Sequence, residues 1–181
     1  MNREPKYFIT SDTFFGRTAI LEIANRPFKS LAHMERTIIK NWNDKVSEND
    51  IVYFLGNFAH DPNSLKKNLK KLNGKIKFIP GSDDGALKEM FAELENVYEF
   101  LPAIYNDTQN DLILSHYPLE EWKGMNDGVI HFHGHSLYRL KTDLDKRLRV
   151  NVCVDNWNFA PVSLEAIKEF VKERKFINAA K

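Results

Sequence analysis

Three histidines stand at alternate positions in "HFHGHSLY", residues 131 to 138. Imidazole nitrogens bind divalent metals, and alternate side chains of a strand share a face. His131, His133 and His135 therefore predict the start of a metal-binding strand edge, which breaks at Leu137, a side chain that binds no ion. Other donors follow short apolar runs: Asp12 after "KYFIT", Asn57 after "IVYFLG", Ser82, Asp83 and Asp84 after "KIKFIPG", and His116 after "DLILS". Carboxylate, amide and imidazole groups together can hold a zinc- or manganese-type ion or move protons in a hydrolysis. Taken singly, each has a plainer reading. Asp12 alone is a turn or helix-cap residue, His116 a satisfied half-buried histidine, and His131 and His33 structural or solvent-facing. His60, beside Asp61 and Pro62, reads as a loop residue before a helix.

The elements that must position these groups alternate. "KYFITS" (6–11), "IVYFLG" (51–56) and "KIKFIPG" (75–81) read as strands, the second apolar enough to be buried on both faces. A helix is expected to start near Arg17. A second covers 30–46, capped by Ser30, with Leu31, Met34, Ile38, Ile39 and Trp42 at helical spacing. "PNSLKKNLKKLNG" is an amphipathic helix with Leu65, Leu69 and Leu72 on one stripe and Gly74 as its stop. "DGALKEMFAELEN" (84–96) completes a β-α-β-α-β-α order, which argues for a layered α/β domain. Beyond it come strands around the turn "NDTQND", further strands in "GVIHFHGHS" and "RLRVNVCVD", and a closing helix over 163–174. Ligands of open α/β sheets bind at the carboxyl ends of strands, where these polar residues cluster.

A chain of 181 residues with no internal repeat or linker is expected to form a single domain, 1–181. Lys+Arg 26 against Asp+Glu 25 gives a net charge of +1, which offers no nucleic-acid footprint. The lone Cys153 forms no intrachain disulfide and fits a reducing, cytoplasmic setting. The polar N-terminus and the lack of a membrane-length apolar run predict neither signal peptide nor membrane span.

The order of these strand ends resembles the calcineurin-like metallophosphoesterases, closest to the small bacterial and phage type. The similarity extends to "NRPF" (25–28), Trp42-Asn43 and "VDNWNFAPVSL" (154–164). It implies a four-layer α/β/β/α sandwich of two mixed sheets flanked by helices, binding two divalent metals and hydrolysing phosphoesters. The family pattern is Asp-x-His, Gly-Asp, Gly-Asn-His-Asp or Glu, a lone His, then Gly-His-x-His. Here Asp12 keeps the first aspartate, but Phe14 replaces the next histidine and Asn57 the bridging aspartate. Ser82 stands for the ligand asparagine and Asp83 for the histidine that assists the leaving group, while Asp84 keeps the final acid. His116 and His135 are kept, with the often-seen His133 before them, and Leu137 replaces the last ligand.

Two dications about 4 Å apart repel by roughly 16 kcal/mol at an effective dielectric of ~20. A bridging carboxylate offsets part of that, and a neutral amide does not. No tightly bound cofactor is therefore expected, and at most one weak zinc or manganese ion at Asn57, His116 and His135. Two functions follow. One is an inactive pseudoenzyme that binds an unidentified protein or a small phosphorylated ligand, with no membrane. The alternative is a divergent one-metal phosphoesterase acting at His116 and His135. A nucleic-acid-binding module finds little support in the balanced charge.

Overall fold

The structure, a computed structural model, describes residues 3–84, 90, 97–137 and 147–179. Strands β1 (Tyr7–Thr10), β2 (Ile51–Phe54), β3 (Lys75–Phe78) and β4 (Val97–Phe100) run parallel to one another. The late strand β9 (Val162–Ser163) joins them antiparallel beside β1, giving the order β4-β3-β2-β1-β9. A second sheet has the order β5-β6-β7-β8, from β5 (Ile104–Asp107), β6 (Leu112–Ser115), β7 (Ile130–His133) and β8 (Arg149–Asn151). Strands β6, β7 and β8 are parallel, and β5 returns antiparallel. The protein is thus α/β, with two mixed sheets flanked by helices.

The helices between the first strands are α1 (Ile20–Ile23), α2 (Leu31–Asn43) and α3 (Pro62–Leu69). Ser30 caps α2 as its hydroxyl accepts from the His33 N–H at 3.2 Å. Asp61 caps α3, accepting from the Asn63 and Ser64 N–H groups, with Pro62 preset at the first helical position. Met34, Ile38 and Trp42 of α2 and Leu65 and Leu69 of α3 pack on Val52, Phe54, Ile76 and Phe78 of the five-stranded sheet. The alternate residues Ile9, Tyr53 and Leu55 face Leu112, Leu114, Phe132 and Val150 of the other sheet. β2 is therefore covered on both faces, as its apolar run requires. The closing helix α4 (Leu164–Ala179) adds Leu164, Ile167 and Val171 to this inter-sheet core.

Several boundaries differ from the sequence expectation. The first helix begins at Ile20 because successive turns, Arg17 N–H to Phe14 O and Ile20 N–H to Arg17 O, occupy the residues before it. α3 ends at Leu69, and 70–74 form a turn. Gly74 there has φ +93°, and a Cβ would come within 2.8 Å of Val46. The helix expected over 84–96 lies outside the described residues apart from Asp84 and Met90. Among the described residues, no helix is long and apolar enough to cross a membrane.

Candidate functional site

Parallel pairing of β1 with β2 brings Asp12 beside Asn57. The Asp12 N–H donates to Gly56 O at 2.9 Å, and the Phe14 N–H to Asn57 O at 3.0 Å. Three glycines let the surrounding turns close on the site. A Cβ at Gly81 would lie 2.5 Å from Asn57 Oδ1, one at Gly56 2.7 Å from His116 Nδ1, and one at Gly134 2.6 Å from Asp12 Oδ2. Around these contacts the backbone is strained. Asp12 (φ 60°), Phe14 (53°), Asn57 (61°), His135 (65°) and Leu137 (48°) all hold left-handed conformations that L-residues seldom adopt. Such torsions cost of order 1–3 kcal/mol each and cluster at functional sites.

The side chains form one connected network. Asp12 Oδ2 accepts from Ser11 Oγ at 2.7 Å and from the His135 N–H at 2.9 Å, and Oδ1 accepts from Asn57 Nδ2 at 3.0 Å. The same amide nitrogen lies 3.3 Å from His116 Nε2. Asn57 Oδ1 accepts from the Asp83 N–H at 2.9 Å and Ser82 Oγ at 3.3 Å. These partners fix the amide's orientation, since a flip would set its oxygen against the Asp12 carboxylate. His116 Nδ1 lies 2.7 Å from Leu55 O, so it carries the proton and leaves Nε2 as an acceptor. That Nε2 also lies 3.3 Å from His135 Nδ1.

Burial sets the electrostatics. It pushes the Asp12 carboxyl up to about 6 against the pull of its hydrogen bonds and of Arg26. It also lowers His116 and His135, the latter helped by the neighbouring His116, so both imidazoles favour the neutral form. Asp84 is buried beneath, accepting from the Gly81, Asn57 and Phe58 N–H groups, and desolvation raises it. It clamps the two loops together and presents no free oxygen to the site.

The remaining positions take other work. Phe14 and Leu137 are buried in the helix-side core. Asp83 pairs with Arg17, whose guanidinium lies 5.1 Å from the Phe14 ring centroid. Both line a cavity of about 240 Å³, whose other lining is polar at Asn57, Ser82 and His135 and apolar at Phe14, Ile20, Ile23 and Leu137. The alternating-histidine expectation holds for His131 and His133, whose ring centroids lie 5.5 Å apart, and needs correcting at His135, because β7 ends at His133. His131 packs against Trp122 at 5.1 Å, its Nδ1 on Ile113 O and its Nε2 accepting from the Leu119 N–H. His133 is fully buried with Nδ1 on Gly134 O and Nε2 unpartnered among the described residues, and His135 is turned into the site by its positive φ. His60 is exposed ahead of α3, and His33 is half-buried on α2.

These donors do not fit a dinuclear metal centre. Asn57 turns its nitrogen, not its oxygen, toward Asp12 and His116, and apolar side chains occupy positions 14 and 137. Among the described residues, no group of three or more His, Cys, Asp or Glu side chains is placed to hold a metal ion.

Sequence reasoning assigned no role to Arg17, Arg26 or Asp155. Arg26 is buried and grips Asp155 through Nε (2.9 Å) and Nη2 (2.7 Å), while donating to Asp12 O and Thr13 O. It thus anchors the Asp12 turn from behind. The signal lay in "NRPF" and "VDNW", whose single charges sit among apolar and turn residues.

Fold and site together define an α/β protein of two mixed sheets, with Asp, Asn and His gathered at strand ends. No family model matches the chain. It is 36% identical over 179 residues to the uncharacterized protein MJ1445 of Methanocaldococcus jannaschii, covering 95% of this chain and 94% of that one. The chain belongs to the same family as that archaeal protein. It is also 25% identical over 183 residues to the Gene 66 protein of Mycobacterium phage L5, covering 83% of this chain and 86% of that one. A crystal structure of AQ665, a protein of unknown function from Aquifex aeolicus, shares the fold at TM-score 0.68 and 22% identity. That match covers 92% of this chain and 100% of the other.

Proposed function

We propose that this chain is a metallophosphoesterase-like protein, built on the family's four-layer α/β/β/α plan, whose two-metal site has been dismantled and now serves binding instead of hydrolysis. The observation that carries the reading is the state of positions 14 and 137. Phe14 and Leu137 keep strained left-handed backbones beside Asp12 and His135, yet their side chains are buried in the core. Torsions of that kind cluster at functional sites. With an amide at Asn57, no charged bridge supports two dications, and Asp83 sets a carboxylate where a leaving group would need a proton donor. The direct test measures turnover of an aryl phosphomonoester and phosphodiester with manganese or zinc added, alongside metal content per chain after dialysis against a weak chelator. Rates equal to buffer and less than one metal per chain are expected. Saturable turnover or two retained metals would overturn the reading.

A second reading has one specific observation in its favour. His116 offers an unprotonated Nε2 that faces His135 across 3.3 Å, as a pair of ligands to one weak zinc or manganese ion would. On that reading, turnover appears with added metal and disappears in His116→Ala.

A further inference from the structure

We propose that the cavity above His135 takes a small zwitterion with an apolar side chain, of the α-amino acid class, whose carboxylate pairs with Arg17 and whose ammonium pairs with Asp83. The inference rests on the reading of this site as a binding pocket.

The polar wall carries one charge of each sign. Arg17 comes from the turn after β1 and Asp83 from the turn after β3, and the two meet at the cavity wall with side chains 30% and 37% exposed. Each has capacity to spare. Among the described residues, Arg17 gives one of its five N–H donors to Asp83, and one Asp83 oxygen takes part. The remaining polar groups are already matched: Asn57 uses its whole amide, and the buried Asp12 carboxylate has three donors, with Arg26 behind it.

A phosphate dianion would meet the Asp83 carboxylate at the cavity wall. A simple amine would leave Arg17 without a partner. A molecule with both charges on one carbon, and a hydrocarbon branch from it, satisfies each. The branch has a surface to cover in Phe14, Ile20, Ile23 and Leu137, of which Ile23 is left 44% exposed. The volume of about 240 Å³ is below the usual range for drug-sized ligands and suits a single small metabolite.

The test is titration calorimetry on the full chain with L-leucine, L-methionine and L-phenylalanine as probes, beside N-acetyl-L-leucine, 3-methylbutylamine and inorganic phosphate. At least one amino acid should bind saturably. Removing either charge from the ligand should weaken binding about tenfold or more, the cost of one charge-assisted hydrogen bond. Arg17→Met and Asp83→Asn should each weaken amino-acid binding to the same degree while their melting temperatures stay near the parent's. Failure of all three amino acids to bind at about 10 mM, or equal binding to the parent and Asp83→Asn, overturns the proposal. Phosphate binding without turnover would sink the zwitterion and leave the binding-protein reading standing. Phosphoester turnover would sink that underlying reading itself.

Discussion

Asn57→Asp places a second carboxylate against Asp12 at the centre of the site. The amide nitrogen it replaces lies 3.0 Å from Asp12 Oδ1, and two negative charges at ~3 Å repel by about 5.5 kcal/mol at an effective dielectric of ~20. Asp12 by itself already titrates near 6 because it is buried. The folded variant should therefore retain a proton shared between the two carboxylates, or shared with His116 Nε2, which lies 3.3 Å from the substituted nitrogen. In the unfolded chain both carboxyls titrate near 3.8, the ordinary aspartate value. A folded pKa raised above the unfolded one gives stability that is complete below about 3.8 and is lost as pH rises toward the folded value. Relative to the parent, the variant should lose up to about 4 kcal/mol between pH 5 and pH 8, one proton over three pH units at 1.36 kcal/mol each. Urea unfolding of both proteins at several pH values measures this directly. Parallel stability profiles across that range would refute the assigned Asn57 to Asp12 hydrogen bond and the buried geometry behind it.

The buried His131 and His133 are depressed to about 4 by desolvation, so their contribution is present above 6.5 and drains away as pH falls toward 4. Acid unfolding of the parent should steepen across that window and flatten in His131→Phe, and an unchanged profile would contradict the neutral assignment. Asp155→Asn breaks a buried, bidentate ion pair and should cost about 3–5 kcal/mol in chemical denaturation, far more than loss of the exposed Lys40–Asp44 pair. Phe14→His and Leu137→His should each cost about 1–3 kcal/mol, since both side chains now pack in the core. Combined with Asn57→Asp, Ser82→Asn and Asp83→His, they should confer metal binding that single changes leave almost untouched, because ligands act as a unit. A folded quintuple variant that takes up no metal by elemental analysis would count against the proposed metallophosphoesterase-like plan.

Much of the scaffold was legible because its signals are local. The apolar run at 51–54 could be satisfied only by cover on both faces, and Ser30 announced its helix by cap chemistry. The gathering of Asp12, Asn57, Ser82, Asp83, His116 and His135 was also readable, since each follows a strand and strand ends meet in such sheets. What spacing could not reveal is direction. His131 and His135 are four positions apart, but the strand ends between them and a positive φ turns the second ring away from the first. Nor could it reveal that Asn57 would offer its nitrogen, because that choice is made by the Asp83 N–H from a distant turn. Arg17 and Arg26 were missed for a related reason: a lone arginine carries no local pattern, and its role appears only when a carboxylate 66 or 129 positions away is brought to it.

The clasp between Arg26 and Asp155 also sets an order of events during synthesis. The Asp12 turn gains its rear anchor only after residue 155 has emerged, and β1 remains an open sheet edge until β9 adds beside it. Contacts of such long sequence separation form slowly, because loop closure must precede their reward. A nascent chain of the first hundred or so residues thus holds its parallel sheet with one unprotected border, a template for association with other chains. Truncation before Val162 would make that intermediate permanent. Demand for chaperones should accordingly fall on the C-terminally shortened protein, even though every site residue from Asp12 to His135 is still encoded in it.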